Sequence, residues 1–452
     1  MEHWIHTQLG NLVEVKSGIG FPKELQGKAK GSYPVYKVGD ISKAFLMNNA
    51  FVDKAENYVS NEEVKILKGS IFREGSTVFA KIGEAVKLNR RGYISQPGLA
   101  DNNVMAVIPL DNSLDRFIYF FLNTVDLSEA ARSTTVPSIR KGDIENLIIP
   151  LPPLAEQHYL ADKLDNLLAR IQTLSDQLAA VPALLKQFRQ SVLADAVSGK
   201  LTAEWRNDGE VDPDSENNIP QSWQRSTLGM AVNYGQCAKR NPAEIQDGEW
   251  VLELEDIERD SSKVIQVVRN AERKSKSQKN AFKEGDVLYG KLRPYLNKVV
   301  IAADNGVCST EIIPIKSSKE VMGGYLFIWL KSPNFIDYVN AITYGVNMPR
   351  LGTQDGKKAP IHIPPIAEQT EIIRRVETLF SLADDIEQQS RAAAERVALL
   401  TQSILAKAFR GELSEAWRRE HPDLISGDNS AAALLARIQA ERAATGKKSR
   451  RA

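Results

Sequence analysis

The sequence predicts an α+β fold in which two similar globular units of mixed short strands and helices are each followed by one long helix. The main observation is an internal repeat, because residues 149–206 and 361–418 contain the same motifs in the same order. The numbering offset is the same at the start (361 − 149 = 212) and at the end (417 − 205 = 212), so the copies align without a gap. Apolar residues also follow a heptad spacing within both copies. Together these observations predict two long helices that pair around a pseudo-twofold axis.

Each copy predicts one long helix with defined ends. Prolines open both copies, where N–H groups lack helical partners, and Glu156 and Glu368 favour the positive end of the helix dipole. Gly199 and Gly411 stand where a helix needs a left-handed residue to stop. About 45 helical residues would extend roughly 65 Å. Pro182 predicts a kink or an interruption of the first helix. We assign the helices to residues 151–199 and 363–411.

Apolar residues at alternating steps of three and four predict that each helix has a partner helix. We expect an antiparallel coiled coil between the two copies, since a large segment separates them. Packing of each helix on the globular unit before it is the alternative. Ser390 and Ala393 replace Leu178 and Val181 of the first copy, so the pairing is weaker or closer there. The residues predicted to pair the helices are Leu160, Leu164, Leu167, Ile171, Leu174, Ile372, Val376, Leu379, Ile386, Val397 and Leu400.

The segments that precede the two helices predict two globular units with a shared fold. Trp4 stands five residues before Leu9, as Trp223 does before Leu228, and later motifs keep their order while the residues between them differ. Short apolar runs between glycine, asparagine and proline turns indicate many short strands. The two units therefore have different surfaces on one framework. We assign them to residues 1–150 and 221–362.

A linker and a terminal segment complete the predicted organisation. Residues 200–220 are acidic, contain prolines and show no apolar periodicity, so they predict a linker. Residues 412–452 contain a predicted short helix from Ser430 to Arg442, which Ser430 or Asp428 can cap. Its apolar stripe is typical of a helix that docks on its own protein or on a partner. The stripe consists of Leu434, Leu435 and Ile438.

Composition excludes several classes of protein. With 452 residues, 42% hydrophobic and 25% charged, the chain predicts a soluble protein of two or three domains. No apolar run approaches the roughly 18 residues of a membrane span, and no signal-peptide core opens the chain, so we expect a cytoplasmic protein. Cys237 and Cys308 are the only cysteines, which excludes a disulfide framework and a cysteine zinc site. A net charge of +1 requires that any DNA contact use local patches or a partner protein.

No catalytic motif is found in the sequence. It lacks a phosphate-binding loop, a nucleophile elbow and a zinc-protease motif, and its five histidines are scattered singly. The proline pairs follow Leu151 and Ile363 rather than Asn or Asp, which argues against an adenine-methylating site with its own cofactor pocket. We therefore predict a chain without a catalytic residue, cofactor or metal of its own. A self-contained nuclease or methyltransferase is an alternative, and it would act on DNA without partners.

The doubled Pro-Pro-(Leu/Ile)-Ala-Glu-Gln motif resembles that of a known family. Residues 152–157 and 364–369 each follow a variable unit, and this pattern resembles the specificity subunit of type I restriction-modification enzymes. Residues 401–413 and 422–427 are similar to the distal conserved region of the IA subfamily. The resemblance extends over essentially the whole chain.

The resemblance implies a non-catalytic reader of double-stranded DNA. Each globular unit would be a target recognition domain for one half of a split, asymmetric site, and the paired helices would set the spacing. Two modification subunits would use S-adenosylmethionine to methylate adenine N6, and two restriction subunits would use ATP and Mg to translocate and cleave DNA. In this family the helices and the terminal segment dock the modification subunits. We therefore expect removal of residues 411–452 to weaken assembly more than it disturbs either globular unit.

Polar loops at equivalent places in the two units are the predicted DNA-contacting segments, because Arg, Lys, Asn, Ser and Thr read base edges. A scaffold whose coiled coil only holds protein partners is the alternative, and it would show no sequence preference on DNA. The predicted DNA-binding residues are Lys81, Asn102, Asn103, Thr134, Thr135, Ser138, Arg140 and Lys141 in the first unit, and Lys291, Arg293, Asn297, Asn347 and Arg350 in the second.

Overall fold

A computed structural model describes residues 3–129, 131, 136–206, 219–342 and 348–449, with the backbone alone for 445–449. The chain forms two compact units. Unit 1 consists of Met1–Gln177 and Ala394–Ala452, and unit 2 consists of Leu178–Ala393. Each unit therefore contains part of both repeat copies, which differs from the division into consecutive domains that the sequence predicts.

The secondary structure is mixed in both units. The described strands are β1 (Ile5–Gln8), β2 (Val13–Ser17), β3 (Tyr33–Tyr36), β4 (Phe51–Val52), β5 (Tyr58–Val59), β6 (Thr77–Ala80), β7 (Arg91–Ile94), β8 (Leu99–Ala100), β9 (Val104–Pro109), β10 (Ile148–Leu151), β11 (Gln224–Thr227), β12 (Lys239–Arg240), β13 (Trp250–Leu252), β14 (Lys279–Phe282), β15 (Val287–Gly290), β16 (Val299–Ile301), β17 (Gly306–Cys308), β18 (Ile312–Ile315) and β19 (Pro360–Ile363). The described helices are α1 (Val38–Met47), α2 (Asn61–Leu67), α3 (Asp115–Leu122), α4 (Lys141–Glu145), α5 (Leu154–Ser198), α6 (Ala203–Arg206), α7 (Leu228–Ala231), α8 (Asn270–Arg273), α9 (Gly323–Lys331), α10 (Pro333–Ile342), α11 (Thr353–Lys357), α12 (Ile366–Phe409), α13 (Glu415–Glu420) and α14 (Ala431–Ser449).

In unit 1 the entry and exit strands of the globular part pair with each other. β1 and β10 are antiparallel, with Ile5 opposite Leu151, so the chain returns to its start before α5 begins. A five-stranded sheet has the order β2-β9-β6-β7-β4, and a three-stranded sheet has the order β5-β3-β8. β6 is fully buried between two neighbours, as its run of Val78 and Phe79 requires.

Unit 2 repeats this plan with different strands. β11 and β19 pair antiparallel, with Gln224 opposite Ile363, and α12 follows. The remaining strands form a four-stranded sheet of order β12-β14-β17-β13 and a three-stranded sheet of order β16-β15-β18. The shared fold that the parallel motifs predict is therefore present, although the sheets are divided differently.

The long helices are continuous. α5 passes through Pro182 without interruption, so of the two predicted outcomes the interruption is wrong, and the kink stays a prediction. A proline removes one backbone hydrogen bond, and the turns on both sides of Pro182 remain helical. Gly199 and Gly411 adopt left-handed conformations, with φ of 82° and 71°, within two residues of the ends of these helices. They end the helices as predicted.

The helices pair in both units in the antiparallel sense. In unit 1, Leu160 and Leu164 of α5 share the core with Leu405 of α12. In unit 2, Val192 near the end of α5 shares the core with Ile372 near the start of α12. Each unit thus joins the beginning of one helix to the end of the other, which confirms the predicted pairing.

The predicted heptad residues are not equally buried. Leu160 and Ile372 are at most 1% exposed, whereas Leu174, Ile386 and Leu400 remain 46%, 41% and 40% exposed. Leu160 and Ile372 pack among residues of the globular parts, which cover the helices there. The heptad pattern therefore predicts that the helices pair, but it does not show which of its residues are buried.

The terminal segment belongs to the core of unit 1. Leu434 and Ile438 of α14 are 4% and 2% exposed within that core, and Ser430 caps the helix by accepting a hydrogen bond from the Ala433 N–H. Arg442 donates to the Gly10 carbonyl at 2.7 Å. These contacts stabilise unit 1, so removal of residues 411–452 should also disturb that unit. The expectation that removal weakens assembly more than it disturbs either globular unit stays a prediction.

Candidate nucleic-acid interface

One backbone arrangement occurs at the end of the central strand in each unit. In unit 1, Lys81 follows β6; its N–H donates to the Asn103 carbonyl at 2.8 Å, and its carbonyl accepts from the Ile139 N–H at 2.8 Å. In unit 2, Lys291 follows β15; its N–H donates to the Glu311 carbonyl at 2.9 Å, and its carbonyl accepts from the Leu351 N–H at 3.0 Å. The end of the strand, the turn before the next strand and the incoming polar loop therefore meet in the same way. We call these sites the polar edges.

The polar edge of unit 1 brings together most of the predicted residues that the structure describes there. Asn102 and Asn103 lie exposed in the turn between β8 and β9, where the Asp101 carboxylate accepts from the Asn103 N–H at 3.0 Å. Ser138 bridges to Ile82 in the neighbouring segment. Amide and hydroxyl groups thus lie beside Lys81 on a constrained backbone. Such groups can donate to and accept from base edges.

Two predicted cations stand at the start of α4. The Arg140 N–H donates to the Asp143 carboxylate at 2.9 Å, which caps the helix and leaves the guanidinium exposed. Lys141 is exposed and lies 3.4 Å from Glu145 in an i,i+4 pair. An exposed pair of this kind contributes about 0.3–0.5 kcal/mol, so it does not prevent either cation from contacting a phosphate or a base.

The polar edge of unit 2 has different side chains on the same backbone. Arg350 is exposed, and its Nε donates to Glu311 Oε2 at 3.0 Å. Arg293 is half-buried with φ of 50°, and its N–H donates to the Pro349 carbonyl at 2.8 Å. Asn297 is only 9% exposed in a second left-handed position, so burial argues against its prediction as a base reader. The predicted residues Thr134, Thr135 and Asn347 lie outside the described residues.

A second repeated arrangement surrounds the glutamate of each repeat motif. In unit 1, Glu156 is fully buried and accepts from Trp4 Nε1 at 2.9 Å, from Ser414 Oγ at 2.5 Å and from the Arg418 guanidinium. Arg418 also donates to the Gly411 carbonyl at 2.8 Å. The charge of the carboxylate is thereby neutralised, and both of its oxygens accept hydrogen bonds. It ties the opening strand, the start of α5 and the segment after α12 together.

Unit 2 reproduces this glutamate site with the equivalent residues. Glu368 accepts from Trp223 Nε1 at 3.0 Å, from Thr202 Oγ1 at 2.7 Å and from the Arg206 guanidinium. Arg206 also donates to the Gly199 carbonyl at 2.7 Å. The sequence interpretation assigned both glutamates only to the helix dipole. A hydroxyl residue and an arginine recur at the repeat interval in both copies. This recurrence was the feature of the sequence that indicated a second role for the glutamates.

Buried carboxylates that are hydrogen-bonded in this way have a structural role and not a catalytic one. A general acid or base must exchange a proton with a substrate that reaches it. Glu156 and Glu368 are at most 1% exposed, and their described partners are donors of the same chain. We conclude that each of these sites stabilises the unit in which it lies.

Burial perturbs one lysine near the helices of unit 2. Lys331 donates to the Asp260 carbonyl at 2.6 Å and to the Ser262 hydroxyl, and burial lowers its pKa to about 8. Lys186 of α5 reaches the Asp260 carboxylate at 3.0 Å. These contacts fasten the loop around Asp260 to the helices of unit 2.

No helix within the described ranges combines the length and the apolar character that a membrane span requires.

Comparisons with known proteins agree with this arrangement. The family model for the type I restriction modification DNA specificity domain matches residues 1–183 and 243–396. The chain is 35% identical over 474 residues to the type I restriction enzyme EcoDI specificity subunit of Escherichia coli, with 98% of this chain and 96% of the relative covered. The EcoBI specificity subunit of Escherichia coli is 32% identical over 99% of this chain and 94% of its own length.

A solved structure supports the fold. The HsdS subunit from Thermoanaerobacter tengcongensis superposes with a TM-score of 0.59 at 16% identity, covering 91% of this chain and 98% of that chain. A second chain, from a study of complex assembly and conformational transition of the type I R-M system, gives a TM-score of 0.57 at 16% identity, covering 91% of this chain and 99% of its own. With the duplicated family match and the full-length relatives, the repeated polar edges and glutamate sites lead to one conclusion: this chain belongs to the family of type I restriction-modification DNA specificity subunits.

Proposed function

We propose that this chain is the sequence-specific DNA-recognition subunit of a type I restriction-modification complex, with each polar edge reading one half of a split, asymmetric site. One observation favours this proposal above the others: both edges have the same backbone hydrogen bonds but different side chains. Asn103 and Ser138 in unit 1 correspond to Glu311 and Arg350 in unit 2. A common framework with different donors and acceptors is what the reading of two different half-sites requires.

The catalytic work in this proposal belongs to partner subunits. Modification subunits would bind S-adenosylmethionine and methylate adenine N6, and restriction subunits would use ATP and Mg to translocate and cleave DNA. The chain itself would bind the DNA and hold these partners. The place of action would be the cytoplasm, because the DNA lies there.

Exposed apolar residues support two equivalent docking sites for modification subunits. In unit 1, Leu174 and Leu400 are 46% and 40% exposed. In unit 2, Ile386 and Phe188 are 41% and 37% exposed, and they occupy the equivalent repeat positions, since 386 − 174 = 212 and 400 − 188 = 212. Exposed apolar pairs that recur at symmetric positions favour contact with two copies of one partner.

The paired helices would set the gap between the two half-sites. Their continuity through Pro182 supports this role, because an unbroken helix keeps a defined length of about 1.5 Å per residue. The base preference would come from the polar edges and the spacing from the helices. The assignment to the IA subfamily stays a prediction.

Co-expression with a modification subunit of this family tests the proposal. Methylated adenines would be mapped across the host genome by single-molecule sequencing. We expect a split motif with one methylated adenine on each strand. A stable complex that methylates DNA without any sequence preference would support the scaffold alternative. Methylation or cleavage by the purified chain alone would support a self-contained enzyme.

A further inference from the structure

A short turn next to each polar edge has a different sequence in the two units, and its middle residue differs most in size and exposure. In unit 1 the 3-10 turn Glu84–Val86 follows Gly83, and in unit 2 the 3-10 turn Pro294–Leu296 follows Arg293. Each turn begins three residues after the lysine that ends the central strand. The N–H of the preceding residue donates to a proline carbonyl of the polar loop at 2.8 Å in both units. The two turns are therefore equivalent in position and attachment.

The middle residue of this turn is Ala85 in unit 1 and Tyr295 in unit 2. Ala85 packs against the core of its unit. Tyr295 is instead 54% exposed, which places a large aromatic ring in solvent beside Arg293 and the segment of Arg350. A single exposed apolar residue is ordinary on a protein surface, but tyrosine is enriched at binding interfaces, and here the ring lies beside the residues of the polar edge.

The turn that presents Tyr295 is held firmly. The Leu296 N–H donates to the Arg293 carbonyl at 2.9 Å, and the Leu296 carbonyl accepts from the Asp260 N–H at 3.2 Å. Arg293 and Asn297, on either side of the turn, both adopt left-handed conformations, with φ of 50° and 48°. Non-glycine residues in this conformation persist only where the surrounding structure determines them. The tyrosine is thus presented on a defined backbone, which reduces the entropy lost on binding.

We propose that Tyr295 is a specificity-determining residue for the second half-site, where its ring packs against the edge of a base in the DNA groove. The inference rests on the proposed function, because it requires that the polar edge of unit 2 faces DNA. Lys291 and Arg350 beside it can contact phosphates and base edges, and the tyrosine ring adds an apolar contact that distinguishes one base from another, as with a thymine methyl group. Unit 1 has alanine at this place and makes no such contact.

The test uses the full chain in complex with a modification subunit, with wild type, Tyr295→Ala, Tyr295→Phe and Met230→Ala compared. Met230 is 82% exposed on α7 of the same unit and controls for truncation of an exposed side chain. Methylated motifs would be mapped by single-molecule sequencing, and duplex affinity would be measured at several salt concentrations. The first half-site serves as an internal control for folding of the complex.

We expect Tyr295→Ala to relax the preference at one base position of the second half-site and to leave the first half-site unchanged. Affinity should fall by about tenfold. The slope of log affinity against log salt should not change, since no cation is lost. Tyr295→Phe and Met230→Ala should behave as wild type.

Three outcomes would overturn the inference. Tyr295→Ala could read both half-sites as wild type does, which shows that the ring is not used. Tyr295→Phe could lose the preference as fully as Tyr295→Ala, which excludes a contact through the ring. A reduced salt slope in Tyr295→Ala would indicate an indirect effect on cations. A wild-type complex without a split motif would refute the proposed function as a whole, and this result is distinguishable because it does not depend on the substitution.

Discussion

Arg140 and Arg350 present exposed guanidinium groups from the polar loops of the two units, and they allow the half-sites to be tested separately. Arg350 is paired with Glu311, but its side chain is 53% exposed. A surface pair of this kind contributes only about 0–1 kcal/mol, so DNA can compete for the arginine.

We expect Arg140→Ala to alter recognition of one half-site and Arg350→Ala to alter the other. Each change should cost about 1–3 kcal/mol at its own half-site if the arginine contacts a base. Motif mapping with a modification subunit measures this, and Arg259→Ala, a change of an exposed arginine of unit 2, is the control. An effect of either substitution on both halves, or on neither, would contradict the assignment.

The buried glutamate sites predict a large effect on stability. Arg418→Ala leaves Glu156 charged and fully buried without its guanidinium partner, which should destabilise unit 1 by about 3–5 kcal/mol. Arg419→Ala is the matched control, because its side chain is 74% exposed and pairs with Glu415, which is 58% exposed. Urea unfolding of both variants measures the difference. Equal unfolding free energies would show that the buried pair does not stabilise the unit.

The lowered pKa of Lys331 predicts that the stability of the folded chain depends on pH. Burial lowers its folded pKa from 10.5 to about 8, so the unfolded chain binds the proton more tightly. Between pH 8 and the unfolded pKa, the unfolded state holds a proton that the folded state has released, and stability therefore rises with pH. Below pH 8 both states are protonated, and the cost of burying the charge is constant.

We expect the difference in unfolding free energy between wild type and Lys331→Met to change by up to about 1 kcal/mol per pH unit between pH 8 and 10, in favour of wild type at higher pH. Thermal or urea unfolding at several pH values measures it. The exposed Lys319→Met is the control and should show no such trend. A difference that stays constant over this range would contradict the lowered pKa.

Among the secondary-structure elements, the two long helices were the best predicted part of the chain. Their prolines, glycine stops and heptad spacing are local or periodic signals, and the observed helices Leu154–Ser198 and Ile366–Phe409 agree with the assigned ranges to within a few residues. The interruption at Pro182 did not occur, because a single missing hydrogen bond does not outweigh the flanking turns, whereas a kink there stays a prediction. Exposure of Leu174 could not be predicted from spacing, since it depends on how far the globular parts cover each helix.

If the helices set the spacing between the half-sites, the length of the helices should determine the gap in the recognised motif. Seven residues inserted after Gln177 in α5 and seven after Gln389 in α12 keep the antiparallel register, because the two positions are equivalent in the repeat (389 − 177 = 212). The helices would lengthen by about 10 Å, or roughly three base pairs. We expect the gap in the methylated motif to grow and the half-site bases to stay the same. A change of bases with a constant gap would contradict this role, and insertion in α5 alone, which disturbs the pairing, is the comparison.

For the molecule as a whole, the terminal segment proves to be a structural part of unit 1. Residues of this segment supply Ser414 and Arg418 to the glutamate site and Leu434 and Ile438 to the core. A chain that ends at Arg410 should therefore lose protection of β1 and β10 against hydrogen exchange, while β11 and β19 of unit 2 keep theirs. Unchanged exchange throughout unit 1 would show that these contacts do not stabilise the unit.

The residues of the polar edges could be predicted from the sequence as a group but not one by one. Lys81, Asn103 and Ser138 were selected because polar loops occur at equivalent places, and the structure does bring them together. The burial of Asn297 in a turn was not predicted. A single asparagine in a sequence does not show whether its side chain will contact solvent or end a buried turn. Tyr295 was overlooked because an isolated tyrosine in sequence gives no sign of exposure.

Motifs and periodicity along the chain were sufficient to establish the repeat, the two similar units, the ends and direction of the long helices, and the family. Which parts of the chain form each unit depends instead on tertiary contacts. Glu156 meets Arg418 across a separation of 262 residues, and Glu368 meets Arg206 across 162. The repeat shows that these residues recur, but it does not show which of them meet, since the members come together only after the chain has folded. The Glu156–Arg418 contact makes the last segment part of unit 1, and separate backbone hydrogen bonds of Lys81 and Lys291 give the two polar edges a common backbone.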